Sequence, residues 1–316
     1  MLPAMRRIPA DVLLLICVVS WGLNFTVTKY AQQHGFAPLG YAAPRLVMAS
    51  VLVTTIAYWR ERSLRVDGPD LRRLMLVGGV VVFGNQLSFA FSFHFASAAV
   101  VALLFGTMPI VAVLISAALG LEQIHALKWA AAAVSFAGVA TVAVGAGGGT
   151  HSNVAGILLG LTSPTTFVAY SIALAPLVRR YGTYRVNALA SLMAVVPLLA
   201  VSAPTLVTMH WSRVSALAWL CLIYSAAAYG LPNLLWFAAI DRVGTPRATL
   251  WANLQPFAGT MFALLILSEQ VSALTFVGGG VLAAGIVISR LSPRSPAVVV
   301  ESGPAELALA VTPPHE

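Results

Sequence analysis

Charge is what this chain has least of. Asp, Glu, Lys and Arg make up 9% of its 316 residues, and only 10 of them are acidic. A soluble domain carries about 25% charged residues. So small a supply cannot cover a water-facing surface, which excludes a soluble globular protein. Cysteine is equally sparse. Cys17 and Cys221 both lie in apolar runs, which implies neither a disulfide framework nor a metal site. P-loop, HExxH and GxSxG patterns are missing. The six histidines, His34, His94, His125, His151, His210 and His315, fall at helix ends, loops or the tail. No nucleophile, acid pair or ligand cluster can be assembled inside the apolar runs. The chain is therefore not expected to be an enzyme, and no cofactor or metal is expected.

Long apolar runs are what the chain does have. It is 59% hydrophobic with a mean hydropathy of +0.89. A helix needs about 20 mostly apolar residues to cross a bilayer. Ten segments qualify: 11–31, 39–59, 74–95, 97–120, 126–145, 154–177, 186–203, 215–239, 246–267 and 273–290. The fold class is an all-α polytopic membrane protein with ten transmembrane helices, and its solvent is the lipid bilayer. Residues 1–10 form a basic cytoplasmic tail with Arg6 and Arg7. The apolar run that follows is too long for a signal peptide and lacks a small-residue cleavage site, so it reads as a retained first helix. Residues 291–316 hold five prolines and no amphipathic period, which predicts a disordered cytoplasmic tail.

One stretch occurs twice. FASAAVVALLFGTMPIVAVLISAALGLEQ spans Phe95–Gln123, and RVGTPRATLWANLQPFAGTMFALLILSEQ spans Arg242–Gln270. Pro109 matches Pro256, Glu122 matches Glu269 and Gly138 matches Gly285, each at an offset of 147 residues. A constant offset means two equal halves. They are 11–145 and 154–290, joined by a Gly-rich linker at 146–153. Five helices per half is an odd number, so the second half enters the membrane from the other side. Inverted repeats of this kind are a hallmark of secondary transporters.

Charge placement sets the orientation. With the N-terminus inside, all 18 Lys and Arg except Lys29, Arg45 and Arg213 fall in cytoplasmic segments. Both termini are then cytoplasmic and the membrane is the plasma (inner) membrane. This placement also explains the net charge of +8 as a basic inner face, so no nucleic acid is expected as a partner.

The chain also resembles a known family. Trp21-Gly22-Leu23-Asn24-Phe25 followed by Lys29, then Arg45, then the two Pro…Leu…Glu-Gln stretches closing at Gly138 and Gly285, are similar to EamA-type drug/metabolite transporters. The resemblance covers about residues 11–290. It implies ten helices, two EamA repeats and export or exchange of small metabolites. The chain departs at Leu267-Ser268-Glu269, where the family more often has Gly before Glu. It departs again at Phe167-Val168-Ala169, where a tryptophan is typical. Both leave the substrate subgroup open.

Polar residues inside spanning helices are costly, so their positions carry information. Ser20, Asn24 and Thr28 share one helix face; so do Ser163, Thr166 and Tyr170. Ser225, Tyr229, Asn233 and Trp236 form a third stripe, and Thr249, Asn253 and Thr260 flank Pro256. Asn85 and Gln86 fall near mid-membrane, and Gln86 maps onto Asn233. The substrate-binding candidates are Asn24, Arg45, Asn85, Gln86, Tyr170, Tyr229, Asn233, Trp236 and Asn253. The serines and threonines could equally bond their own backbone, and the aromatics could be ordinary packing. Arg45 lies about 10 Å into its helix at 1.5 Å per residue. It either snorkels to the headgroups or faces a cavity and attracts an anionic group. Pro109 and Pro256 each free a carbonyl and bend the helix, as hinges or as fixed kinks. Glu122 and Glu269 are placed to cap the helix that follows each. Gly156 and Gly160 form a GxxxG that suits close helix approach and would also serve a homodimer.

Taken together, these features lead to a secondary transporter for a small organic metabolite, amino acid-like or drug-like, working by alternating access, with export implied by the resemblance. A membrane enzyme or a structural membrane protein without transport is the alternative. None of the ten carboxylates sits at the middle of an apolar run, which favours a facilitator or exchanger over a buried proton relay.

Overall fold

A computed structural model describes residues 8–120, 125–147 and 152–291. Among the described residues there is helix and no strand. The order is α1 (Ala10–Gln33), α2 (Pro38–Glu61), α3 (Gly68–Leu76), a π-helical stretch (Val77–Val82), α4 (Phe83–Phe95), α5 (Ala98–Phe105), α6 (Met108–Ala118), α7 (Ala126–Gly147), α8 (Val154–Tyr181), α9 (Thr183–Thr208), a 3₁₀ turn (Trp211–Arg213), α10 (Ala216–Ala252), α11 (Gln255–Leu267) and α12 (Ala273–Leu291). Eight described helices are long and apolar enough to cross a membrane, or nine if α5 and α6 form one bent span. α12 adds a shorter apolar helix. Such helices are the solution lipid demands, because they satisfy backbone polar groups internally.

Local chemistry sets the helix starts. Ser97 accepts from the Val100 amide at 3.2 Å and caps α5. Asn153 accepts from the Gly156 amide at 3.0 Å and caps α8. Pro38, Pro69, Pro109 and Pro256 occupy first turns, where the missing N–H is an orphan anyway.

This placement corrects the expectation for Pro109 and Pro256. The segments 97–120 and 246–267 are not continuous helices with a proline in mid-run. α5 and α6 meet at a 43° bend. α10 reverses at Gly244 (φ 76°, ψ 160°), continues to Ala252 and breaks before α11. The breaks fall at 106–107 and 253–254, again 147 apart. Each proline begins the second piece and so terminates nothing.

α11 closes on Ser268, whose φ of 52° lies in the left-handed region. A non-glycine residue there is strained by about 1–2 kcal/mol. Ser268→Gly should raise stability by about 0.5–1 kcal/mol after the added chain entropy of glycine is counted. Thermal unfolding of the purified protein would register the gain.

Successive spans, with α3–α4 and α5–α6 each running on as one, alternate in direction and give the bundle two faces. The N-terminal face carries the start of α1 and the α8–α9 turn, and the opposite face carries the α1–α2 turn and the α4–α5 junction. α1 packs on α10 and α11, α2 on α9, α4 on α8 and α7 on α12. Glycines permit the closest approaches. A Cβ on Gly138 would lie 2.6 Å from the Leu282 nitrogen, and one on Gly285 would meet the Ala131 carbonyl oxygen at 2.9 Å. Gly156 and Gly160 rest against Phe95 and Leu104 of the same chain, so the GxxxG serves an internal contact.

Ion pairs cluster on the N-terminal face. Arg185 meets Glu61 at 3.0 Å, Arg180 meets both Asp70 at 2.9 Å and Asp67, and Arg247 meets Asp11. Exposed pairs contribute little. The Glu61–Arg185 pair is the least exposed of them and ties α2 to α9.

Candidate functional site: a central cavity

A cavity of about 590 Å³ lies between the two halves. α1 supplies Trp21, Asn24 and Phe25, and α2 supplies Arg45. α4 supplies Asn85, Gln86 and Phe89, and α8 supplies Ser163, Phe167 and Tyr170. α10 supplies Tyr229, Asn233 and Trp236, and the break after it supplies Asn253. Both helix breaks reach the wall, with Gly106, Met108 and Pro109 on one side and Gln255 and Pro256 on the other. Every substrate-binding candidate and both prolines therefore border one space. Trp21 was missed by the polar stripes. It packs on Trp236 with ring centroids 5.4 Å apart, and its apolar character hid its position.

A chain of hydrogen bonds links five helices across the cavity. Ser225 donates to Asn24 Oδ1 at 2.6 Å. Arg45 Nη1 reaches Ser225 Oγ at 3.5 Å, and Arg45 Nη2 donates to Gln86 Oε1. Gln86 Nε2 donates to Asn85 Oδ1 at 3.2 Å. Asn85 Nδ2 reaches the Ser163 carbonyl at 2.7 Å and Thr166 Oγ1 at 3.2 Å. Ser225 and Thr166 thus act behind the wall by holding Asn24 and Asn85. Thr28 and Thr260 bond the backbone carbonyls of Asn24 and Pro256 one turn back instead. Side-chain amides at this depth keep their polar atoms engaged, as an apolar surround requires.

Arg45 is the one formal charge on the described wall, which holds no Asp, Glu or His. It is only 5% exposed, so it does not snorkel to the headgroups. Its guanidinium carbon lies 4.9 Å from the centroid of the Phe89 ring. Its Nε has no protein acceptor. A buried guanidinium held by neutral partners alone is costly, and an anion entering the cavity would lower that cost. The N-termini of α6 and α11 begin at the wall and add partial positive charge.

Glu269 does not cap the helix that follows it. Its carboxylate accepts from the Ala98 and Ala99 amides at 2.8 and 2.9 Å, capping α5 from the other half. Glu122 lies outside the described residues. Cys17 and Cys221 are buried and free, and Cys17 Sγ donates to the Pro232 carbonyl at 3.1 Å.

Apolar helices of spanning length, discontinuous helix pairs and a central cavity that holds a buried arginine and several amides define a multi-pass membrane transporter. The comparisons agree. Residues 8–144 and 154–291 both match the EamA-like transporter family, and the chain belongs to that family. It is similar to a "Probable amino-acid metabolite efflux pump" of Escherichia coli K12, 25% identical over 302 residues, 90% of this chain and 95% of that one. It is also similar to a "Probable terminal-alkyne amino-acid exporter" of Streptantibioticus cattleyicolor, 25% identical over 278 residues, 87% of this chain and 91% of the relative. One solved crystal structure shares the fold with a TM-score of 0.59 at 18% identity, covering 89% of this chain and 97% of the other.

Proposed function

We propose that the protein exports a small organic metabolite bearing an anionic group, amino acid-like in size, by alternating access across the plasma membrane. In this reading ten spans form two inverted five-helix repeats, 11–145 and 154–290, with both termini cytoplasmic. The basic N-terminal face and the matched breaks at 106–107 and 253–254 support it. The observation that carries the substrate class is Arg45, buried in the cavity without a carboxylate partner among the described residues. The relatives named for amino-acid export are in keeping with it. Cationic drug-like solutes fit poorly, because the described wall offers no acidic side chain. The same lack favours facilitated export or exchange over proton coupling.

Counterflow in proteoliposomes tests the reading. Amino acids and their N-acylated derivatives should accelerate exchange, and cationic dyes should not. Dye exchange without amino-acid exchange would overturn the substrate class. In intact cells a cysteine at Ser212 should be labelled from outside, while one at Ser63 should stay protected until the membrane is opened. The reverse pattern would overturn the orientation.

A further inference from the structure

The cavity is sealed unequally at its two ends. Toward the opposite face Phe25, Phe89, Phe93 and Phe105 close over it, with Phe25 and Phe105 centroids 4.9 Å apart. Toward the N-terminal face its lining continues to Thr183, Tyr184 and Asn187 at the start of α9.

Two charged side chains tie the sealed end. Glu269, at the end of α11, holds the first two amides of α5. These are orphan donors at a helix start, and a carboxylate is the strongest acceptor they can meet. Lys29 of α1 is 8% exposed and donates to the Phe93 and Ala96 carbonyls at 2.6 and 2.8 Å. It therefore grips the other side of the same α4–α5 junction. The lysine and the carboxylate attract one another. Together they draw α1 and α11 onto α4 and α5.

The repeat shows what the other end can make. At the 147 offset Glu269 corresponds to Glu122, but Lys29 corresponds to Pro176. Ala98 and Ala99 correspond to Thr245 and Pro246, and a proline has no amide to donate. Three of the four sealing phenylalanines correspond to Ile172, Ile240 and Ala252. In sequence, then, the matching positions of the other half lack the cation, one amide donor and most of the aromatic seal.

We propose that Glu269 and Lys29 form a latch that the matching positions of the repeat cannot reproduce, and that this difference makes the form open at the N-terminal face the resting state of the empty carrier. The inference rests on the alternating-access reading above. With the orientation proposed there, the empty carrier waits open to the cytoplasm, where an export substrate is loaded. The bias sets which side binds first. It cannot by itself drive solute uphill, because a ligand or gradient must supply that difference.

The test uses the full-length protein with Cys17 and Cys221 replaced by alanine and Thr260→Cys as reporter. Thr260 lies between α11 and α5, 3.4 Å from the Ala99 carbonyl, and is exposed only when those helices part. A membrane-impermeant maleimide is applied to right-side-out cells and to inside-out vesicles, so that orientation is not assumed. Slow labelling is expected from the opposite face. Glu269→Gln and Lys29→Gln should each speed it by about 10-fold, the effect of losing one charge-assisted tie. Glu122→Gln should not speed it. Should Glu269→Gln fail to fold, Ala98→Pro carries the test. It removes one latch amide at a first-turn position, and Ser97 before it is already extended at ψ 155° as a residue preceding proline must be. Unchanged labelling in folded Glu269→Gln or Ala98→Pro, or equal acceleration by Glu122→Gln, would overturn the latch. Labelling needs no substrate. A failed latch and a failed transport reading therefore give separate results.

Discussion

Arg45→Gln is expected to cut transport about 100-fold while leaving the yield of folded carrier unchanged. A charge-assisted contact to a buried group contributes up to about 3 kcal/mol, which is that factor. Glutamine keeps a donor and removes the charge. Arg45→Lys keeps the charge and loses the planar fork that matches a carboxylate. It also loses the reach that lets one guanidinium touch Gln86 and Ser225 together. It should therefore fall between wild type and Arg45→Gln. The measurement is initial-rate counterflow of whichever amino-acid-like solute exchanges best, with folded yield from size exclusion in detergent. Full transport by both variants would reduce Arg45 to an anchor for Gln86. Loss of folded protein in both would make it a structural residue.

A second large effect is expected away from the cavity. Gly138→Leu should destabilise the protein by about 3 kcal/mol, at the upper end of overpacking costs. The atoms that its Cβ would meet, Leu282 N and Gly278 O, belong to the backbone of α12 and cannot rotate away. Gly285→Leu should do the same from the other side, because its neighbours are Ser135 N and Ala131 O of α7. Gly280→Ala is the control, since nothing lies within 4 Å of its added carbon. Melting in detergent should drop for the first two and hold for the third. An unchanged melt for Gly138→Leu would mean that the α7–α12 contact does not stabilise the bundle.

The cavity was legible because amides are expensive in hydrocarbon. Asn24, Asn85, Gln86, Asn233 and Asn253 stand out in apolar runs, and the structure gathers them at one wall. Periodicity could not show that Thr28 and Thr260 turn to their own backbones, because a hydroxyl satisfied one turn back has the same spacing as one facing a cavity. Pro109 and Pro256 were visible, yet as kinks. A proline that starts a helix and one that bends it read alike when the residues before it are apolar. Glu269 was assigned to the helix following it because sequence shows only adjacent partners. Its real partner is in the other half of the chain, 171 residues from Ala98. Trp21 and the phenylalanine seal were lost among many apolar residues whose facing no pattern distinguishes.

The α7–α12 pair also bears on how the molecule is made. α7 is completed early, and the helix that fits its glycine face is made only after α8, α9, α10 and α11. Until then Gly138 and Gly145 lack the α12 backbone that their face fits. The first half can thus be inserted in the bilayer without having reached its mature shape. Its last helix docks when the ribosome has delivered the final helix of the second, so the two halves mature together.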